Sequence, residues 1–436
     1  MVLVETKRAY FKKNGDSFNS AYFNSTSMNA NKFVLLSIMM FLQYFIWGAW
    51  YVTMGTYMGE HLKSSGVQVA SAYSALAIAT MISPFFVGMI ADRFFSAQRI
   101  MGVLHLVGAA VLFLATRIDN NSVFFWVILF YSLLYMPTIA LSNSIAFFQM
   151  TDPGKQFPWI RVFGTLGWIV AGLIIGGLKI EPTAYIFMIA AGVSVLLGLM
   201  SFALPNTPPK ARVATSAAQA LGTEAFVLFR SRPYLIFFIA AILVCIPLSF
   251  YYGWANPFLN ELKVNNAAGK MTLGQFSEAA FILAIPFLFN RIGVKNMLLM
   301  GMTAWLLRYV CFAYGNTGAN MWMLYAGIIL HGICYDFFFV TGYMYTEKKA
   351  GEKIKSAAQG LFTFATYGLG MFIGTQISGR VVDKYALAEG HNWKNIWFVP
   401  AYIALGVLIY FILFFREKRQ IQVAGVTKEI TAPEVA

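Results

Sequence analysis

Among the 18 acidic residues of the chain, Glu278 and Asp336 alone fall deep inside long apolar runs, each among aromatics and amides rather than beside a loop. A carboxylate in hydrocarbon costs about 2.5 to 3.5 kcal/mol on insertion scales, so an acid at that depth implies a task such as pairing, proton uptake or solute contact. Burial disfavours its charged form, which suits it to taking up a proton. Arg161, Thr165 and Trp168 are spaced i, i+4, i+7, so one helix face projects a cation, a hydroxyl and a large ring together. Gln275 and Glu278 share a face at i, i+3, and Asp336 shares a stripe with Phe339 and Tyr343, with Tyr335 beside it. Such groups need a cavity or partners within a membrane. The plainer alternatives are that Arg161 marks a helix end and snorkels to lipid phosphates, and that the two acids form buried ion pairs with Arg308 or Arg161 that only hold helices together.

The elements that must carry these residues are apolar helices. The chain has 436 residues, of which 59% are hydrophobic, 17% aromatic and 11% charged, far from the roughly 25% charge of soluble domains. Twelve stretches near the length needed to cross about 30 Å of hydrocarbon run approximately 31–58, 67–91, 100–116, 122–149, 160–178, 183–204, 233–260, 272–290, 296–315, 321–346, 356–380 and 394–415. Intramembrane acids in such a frame point to an ion-coupled transporter. The net charge of +14 reads as orientation rather than as a nucleic-acid surface. With a cytoplasmic N-terminus, 23 Lys and Arg residues lie on the cytoplasmic side and eight on the other, with Arg308 inside a span. Both termini then face the cytoplasm. Cys245, Cys311 and Cys334 lie within spans without metal-ligand spacing, so no disulfide framework or metal site is expected. No cleavable signal peptide is visible, and Met28 is a candidate true start.

The chain divides at 205–232, a polar linker opening with Pro205, Pro208 and Pro209. Leu221, Ala225, Leu228 and Phe229 within it suit a short amphipathic surface helix. The expected units are a cytoplasmic segment 1–30, a six-helix bundle 31–204, the linker 205–232, a second six-helix bundle 233–415 and a cytoplasmic tail 416–436. The halves echo one another. Ser83-Pro-Phe-Phe precedes a basic turn in one and Ile285-Pro-Phe-Leu in the other, and Trp47-Gly-Ala-Trp50 is matched by Tyr252-Gly-Trp254.

Gly88-Met-Ile-Ala-Asp92-Arg93 with Arg99 resembles the loop signature of the major facilitator superfamily, in which the glycine permits close helix contact and the Asp-Arg pair helps latch the cytoplasmic face. A solvated turn with topogenic charges is the alternative. Phe41-Leu-Gln-Tyr-Phe-Ile-Trp-Gly-Ala-Trp50, Phe157-Pro-Trp-Ile-Arg-Val-Phe-Gly-Thr165, Gln275-Phe-Ser-Glu278, Trp305-Leu-Leu-Arg308 and Tyr335-Asp-Phe-Phe338 narrow this. In order over residues 30–415, they resemble the nucleoside:proton symporter family of bacteria.

That resemblance implies an all-α membrane protein of twelve transmembrane helices in two bundles. It implies inward transport of nucleosides with a proton by alternating access, in the bacterial cytoplasmic (inner) membrane and without a partner subunit. Arg161, Thr165, Gln275, Glu278, Tyr335 and Asp336 match substrate or coupling positions of the family, with Asp336 or Glu278 carrying the proton. Trp168 and Tyr335 stand where phenylalanine is usual. Ser249 and Tyr252, at i, i+3, replace polar amides of the family and so lower the hydrogen-bonding capacity offered to a base. Gln43, Trp47, Trp50 and Tyr51 form an aromatic stripe suited either to stacking or to packing. His105 and His331 read as packing residues with a local hydrogen bond. No phosphate-binding glycine loop and no catalytic triad pattern is present, so an enzyme is not expected, no cofactor is required, and a proton gradient supplies the energy. The alternatives are a facilitator for a sugar or modified nucleoside, motivated by Ser249 and Tyr252, and a non-transporting solute receptor.

Overall fold

A backbone in hydrocarbon has no water to bond to, so the apolar stretches must satisfy their amides internally and become helices. The structure, a computed structural model, describes residues 29–86, 95–209, 223–416, 420–423 and 426–429. Met28, Leu221 and the expected latch residues Gly88, Asp92 and Arg93 lie outside the described residues.

The first half comprises α1 (Ala30–Trp50) and its continuation α2 (Met54–Glu60), then α3 (Gly66–Phe86), α4 (Ala97–Ala115), α5 (Asn121–Phe148), α6 (Pro153–Gly177) and α7 (Tyr185–Ser201). The second comprises α8 (Arg232–Glu261), α9 (Ala267–Tyr314), α10 (Met321–Tyr335), α11 (Thr341–Thr363), α12 (Met371–Lys384) and α13 (Trp393–Phe414). Two π-helical turns interrupt the second half, Asp336–Val340 between α10 and α11 and Phe364–Gly370 between α11 and α12. Within α9 and α11 the backbone breaks at Gly293 (φ 76°, ψ 166°) and Gly351 (φ 65°, ψ 177°). That region is open essentially to glycine alone, which is why each run supplies parts of two spans. Over the described residues each of the twelve apolar stretches of the sequence overlaps one or more of these helices.

Within the first half α1 packs on α6 and α7, and α4 on α5 and α7; within the second α8 packs on α12 and α13, and α9 on α10 and α13. The halves meet where α3 lies on α12, α6 on α9, and α2 on α8. Hydrogen bonds join them at the membrane face opposite the linker. The Glu181 carboxylate accepts from the Asn256 and Asn260 amides, both at 2.7 Å, and from the Ala268 amide at 3.0 Å. Thr56 donates to Asn256 at 2.6 Å. The Asp383 carboxylate takes the Gly66 and Val67 amides at 2.5 and 2.9 Å, capping the N-terminus of α3 from the other half. This face is therefore closed.

In the linker, Thr223–Arg230 forms a 3₁₀ turn rather than a full amphipathic helix. Its Ala225 and Leu228 are buried and the Phe229 ring lies 4.8 Å from Phe238 of α8, so its apolar side packs on protein. Beyond α13, Gln420–Val423 pairs antiparallel with Val426–Glu429.

Candidate functional site

The interface of the halves is aromatic at mid-depth. Trp168 of α6 meets Trp47 of α1 edge-on at 5.4 Å between ring centroids, and Tyr51 stands 5.5 Å from Tyr252 of α8 across the interface. Of the sequence stripe on α1 only Tyr51 reaches the second half; Trp47 packs on Tyr135 and Trp168 and Trp50 on Tyr131 and Phe187 inside the first half, and Gln43 binds Thr138 at 2.8 Å and His105 at 2.9 Å. A narrow crevice of about 20 Å³ between the halves, room for a water molecule in this closed arrangement rather than for a solute, is bounded by Gly48, Trp168, Tyr251, Tyr252, Thr272 and Gln275 among others. Three expected site residues, Trp168, Tyr252 and Gln275, therefore share one wall set. Flat rings with a nearby amide suit a planar heterocycle, because stacking supplies area and the amide fixes an edge.

Arg161 lies two turns from Trp168 on the same helix, and its guanidinium sits 4.0 Å from the Tyr44 ring centroid. It is held inward on an aromatic face rather than extended to lipid. Thr165 is half-buried between them. Across the interface Glu278, with 23% of its side chain exposed, places Oε2 4.0 Å from Nε2 of buried His331.

Tyr335 bonds Tyr367 hydroxyl to hydroxyl at 2.5 Å, joining the end of α10 to the second π turn. Asp336 opens the first π turn, is 0% exposed, and has no hydrogen-bond partner on either carboxylate oxygen. The wider π turn changes the register after Asp336 from the α-helical stripe read in the sequence, a local departure common at functional sites. The ion pairs considered from sequence do not form. Arg308 is fully buried, its guanidinium 3.3 Å from the Tyr251 ring centroid, and donates through Nη1 to His331 Nδ1 at 3.0 Å. Among the described residues neither Arg308 nor Arg161 has a carboxylate oxygen within 4 Å.

Ser249 does not join the set. Its hydroxyl is bonded to the Ile246 carbonyl at 2.7 Å in its own helix and the residue is buried against Gly374 of α12. Sequence reasoning also left unassigned Glu181, Asn256, Asn260 and Asp383. Their isolated polar character inside or beside apolar runs was visible, but nothing in one sequence indicates that they meet. Among the described residues no cluster of three or more potential metal ligands occurs.

With this geometry in view, the comparisons with known proteins are specific. A family model described as nucleoside H+ symporter matches residues 30–420. The transporter YegT of Escherichia coli (strain K12) is 42% identical over 397 residues, 88% of this chain and 93% of that protein. The xanthosine permease of the same organism is 38% identical over 397 residues, 87% of this chain and 95% of its own. A crystal structure of the nucleoside transporter NupG superposes with a TM-score of 0.82 at 33% identity, covering 89% of this chain and all of the other.

Proposed function

The chain belongs to the nucleoside H+ symporter family, and from that premise we propose that it imports nucleosides together with protons by alternating access of its two helical bundles. The observation that carries this reading is the pairing of an aromatic cavity at the interface of the halves with two intramembrane carboxylates in unlike settings. Trp168, Tyr252 and Tyr51 stack the base, Gln275 and Thr165 bond its polar edges or the sugar, and Arg161 sits beside them on Tyr44. Glu278, three residues from Gln275 on the same face of α9, accepts from substrate hydroxyls.

Asp336 carries the proton. A carboxylate without a donor is costly to leave charged inside protein, so protonation relieves a larger penalty at fully buried Asp336 than at Glu278, whose side chain is 23% exposed and lies 4.0 Å from His331. Protonation of Asp336 lowers the cost of closing the halves around substrate, and release of the proton restores it. No bound cofactor is needed, the proton gradient being the energy source.

Positive residues concentrate at the linker face, so that face and both termini are cytoplasmic, in the inner membrane of a bacterium. The closed face is then periplasmic, and the state described here is shut to the outside. The bundles 31–204 and 233–415 are the moving bodies, joined by the linker 205–232, and Gly88, Asp92 and Arg93 latch the cytoplasmic face in the alternate state. One chain carries both halves of the site and suffices as a monomer.

Exchange and accumulation separate the roles of the two acids. Asp336→Asn is expected to keep exchange of labelled nucleoside between the two sides while abolishing accumulation driven by a proton gradient. Accumulation retained by Asp336→Asn at the wild-type level would sink the assignment.

A further inference from the structure

Arg308 and His331 belong to no step above, yet together they form a directed chain that ends at Glu278. Every nitrogen of a guanidinium is a donor. Because Arg308 Nη1 stands 3.0 Å from His331 Nδ1, that ring nitrogen must accept, and the single proton of the neutral ring must sit on Nε2. A doubly protonated ring would set two donors against each other beside a fixed cation. Nε2 is also the atom that faces Glu278, at 4.0 Å from Oε2.

The ring has little freedom to turn. It stacks on Tyr251 at 5.1 Å, lies 5.6 Å from Tyr335 and 6.3 Å from Tyr252, and Arg308 in turn lies on the Tyr251 ring. Glycine at 332 brings α10 against the Ser277–Glu278 backbone, fixing the two helices at the same height.

We propose that His331 is a positioning residue for Glu278: Arg308 fixes the histidine as the Nε2–H tautomer, which donates to the Glu278 carboxylate and aims it at the substrate. The groups acting on Glu278 are then Arg161 from α6, His331 and Tyr335 from α10, Tyr251 and Tyr252 from α8, and Asp336 at the first π turn. Closing the 4.0 Å gap to hydrogen-bonding distance needs a shift of about 1 Å, which substrate binding supplies. The partly exposed acid is thereby kept as a substrate acceptor, distinct from unpartnered Asp336. This proposal rests on the transport reading of the preceding subsection.

The test is nucleoside uptake by the full chain in proteoliposomes, with KM and maximal rate measured across pH. His331→Phe removes the donor, His331→Gln restores an N–H at the position of Nε2, and His331→Asn places its amide at the position of Nδ1. We expect His331→Phe and His331→Asn to raise KM about tenfold, equivalent to roughly 1.4 kcal/mol, and more at acidic than at alkaline pH. His331→Gln should recover most of that loss, and His331→Phe should add nothing in a Glu278→Gln background. If His331→Phe does not accumulate in the membrane, the Gln against Asn contrast decides alone. Equal KM for the Gln and Asn variants, or additive effects of His331→Phe and Glu278→Gln, would overturn the proposal. Absence of nucleoside uptake by the unaltered protein would instead overturn the transport reading, so the two failures are told apart.

Discussion

At the scale of single residues, the decisive contrast is between two acids that differ in what surrounds them. Among the described residues Asp336 has no donor on either carboxylate oxygen, whereas Glu278 has His331 at 4.0 Å and 23% of its side chain exposed. Substitution at the aromatic wall follows from the same geometry. Trp168→Ala removes the ring that meets Trp47 and forms part of the cavity wall, and stacking of a base on an aromatic side chain is worth about 1 to 3 kcal/mol. Its nucleoside KM is expected to rise roughly fivefold or more, while Trp168→Phe retains most of the affinity. Ser249→Ala, by contrast, is expected to change KM by less than about twofold, because that hydroxyl bonds its own helix and deleting such a bond leaves no stranded partner aimed at substrate. Initial-rate uptake measurements on the three variants check both expectations. The acids and the Arg161 face were legible in the sequence because charge inside an apolar run and helical spacing are local properties. The pairing of Arg308 with His331 was not, since it joins two helices whose relative rotation no single sequence states, and the inward turn of Ser249 was hidden for the same reason.

At the scale of elements, helix positions were legible because about 20 apolar residues have few alternatives to a helix in a bilayer. What escaped was the local winding. The π turns at Asp336–Val340 and Phe364–Gly370 follow from packing between neighbouring helices, not from residue type, and they bring Tyr335 to Tyr367. The short linker helix expected from the sequence is present at Thr223–Arg230 with Ala225 and Leu228 on its buried side, but it is wound as 3₁₀ rather than α. Gly293 and Gly351 make a prediction of their own. At positive φ with ψ near 170°, a β-carbon costs on the order of 1 to 3 kcal/mol, so Gly293→Ala and Gly351→Ala should each lower the melting temperature of the detergent-solubilised protein. An unchanged melting temperature in both would show that these breaks are not demanded by the fold.

At the scale of the whole molecule, the halves are held shut at one face by carboxylates that reach across from each side. Glu181 of the first half grips Asn256, Asn260 and the Ala268 amide of the second, and Asp383 of the second caps α3 of the first. Replacing either carboxylate, Glu181 buried and Asp383 exposed, by an amide places donors against donors, and at buried Glu181 this is expected to weaken closure by about 1 to 3 kcal/mol. Glu181→Gln with Asp383→Asn should therefore shift the population toward a state open at that face. Labelling of a cysteine placed at Tyr252, on the cavity wall, by a membrane-impermeant thiol reagent added from that side should accelerate several-fold; an unchanged rate would remove the closure role from this pair. The two-bundle plan was legible in the echo between the halves, but which face is shut was not, because it depends on the meeting of residues some 75 to 317 positions apart.

The central claim is tested most directly by uptake of labelled uridine and adenosine into proteoliposomes of the purified protein, with and without an inward proton gradient. Accumulation above the external concentration only when the gradient is imposed, and its collapse on adding a protonophore, is the predicted result. Folded protein that accumulates neither nucleoside under the gradient, or accumulates them equally without it, would contradict the account.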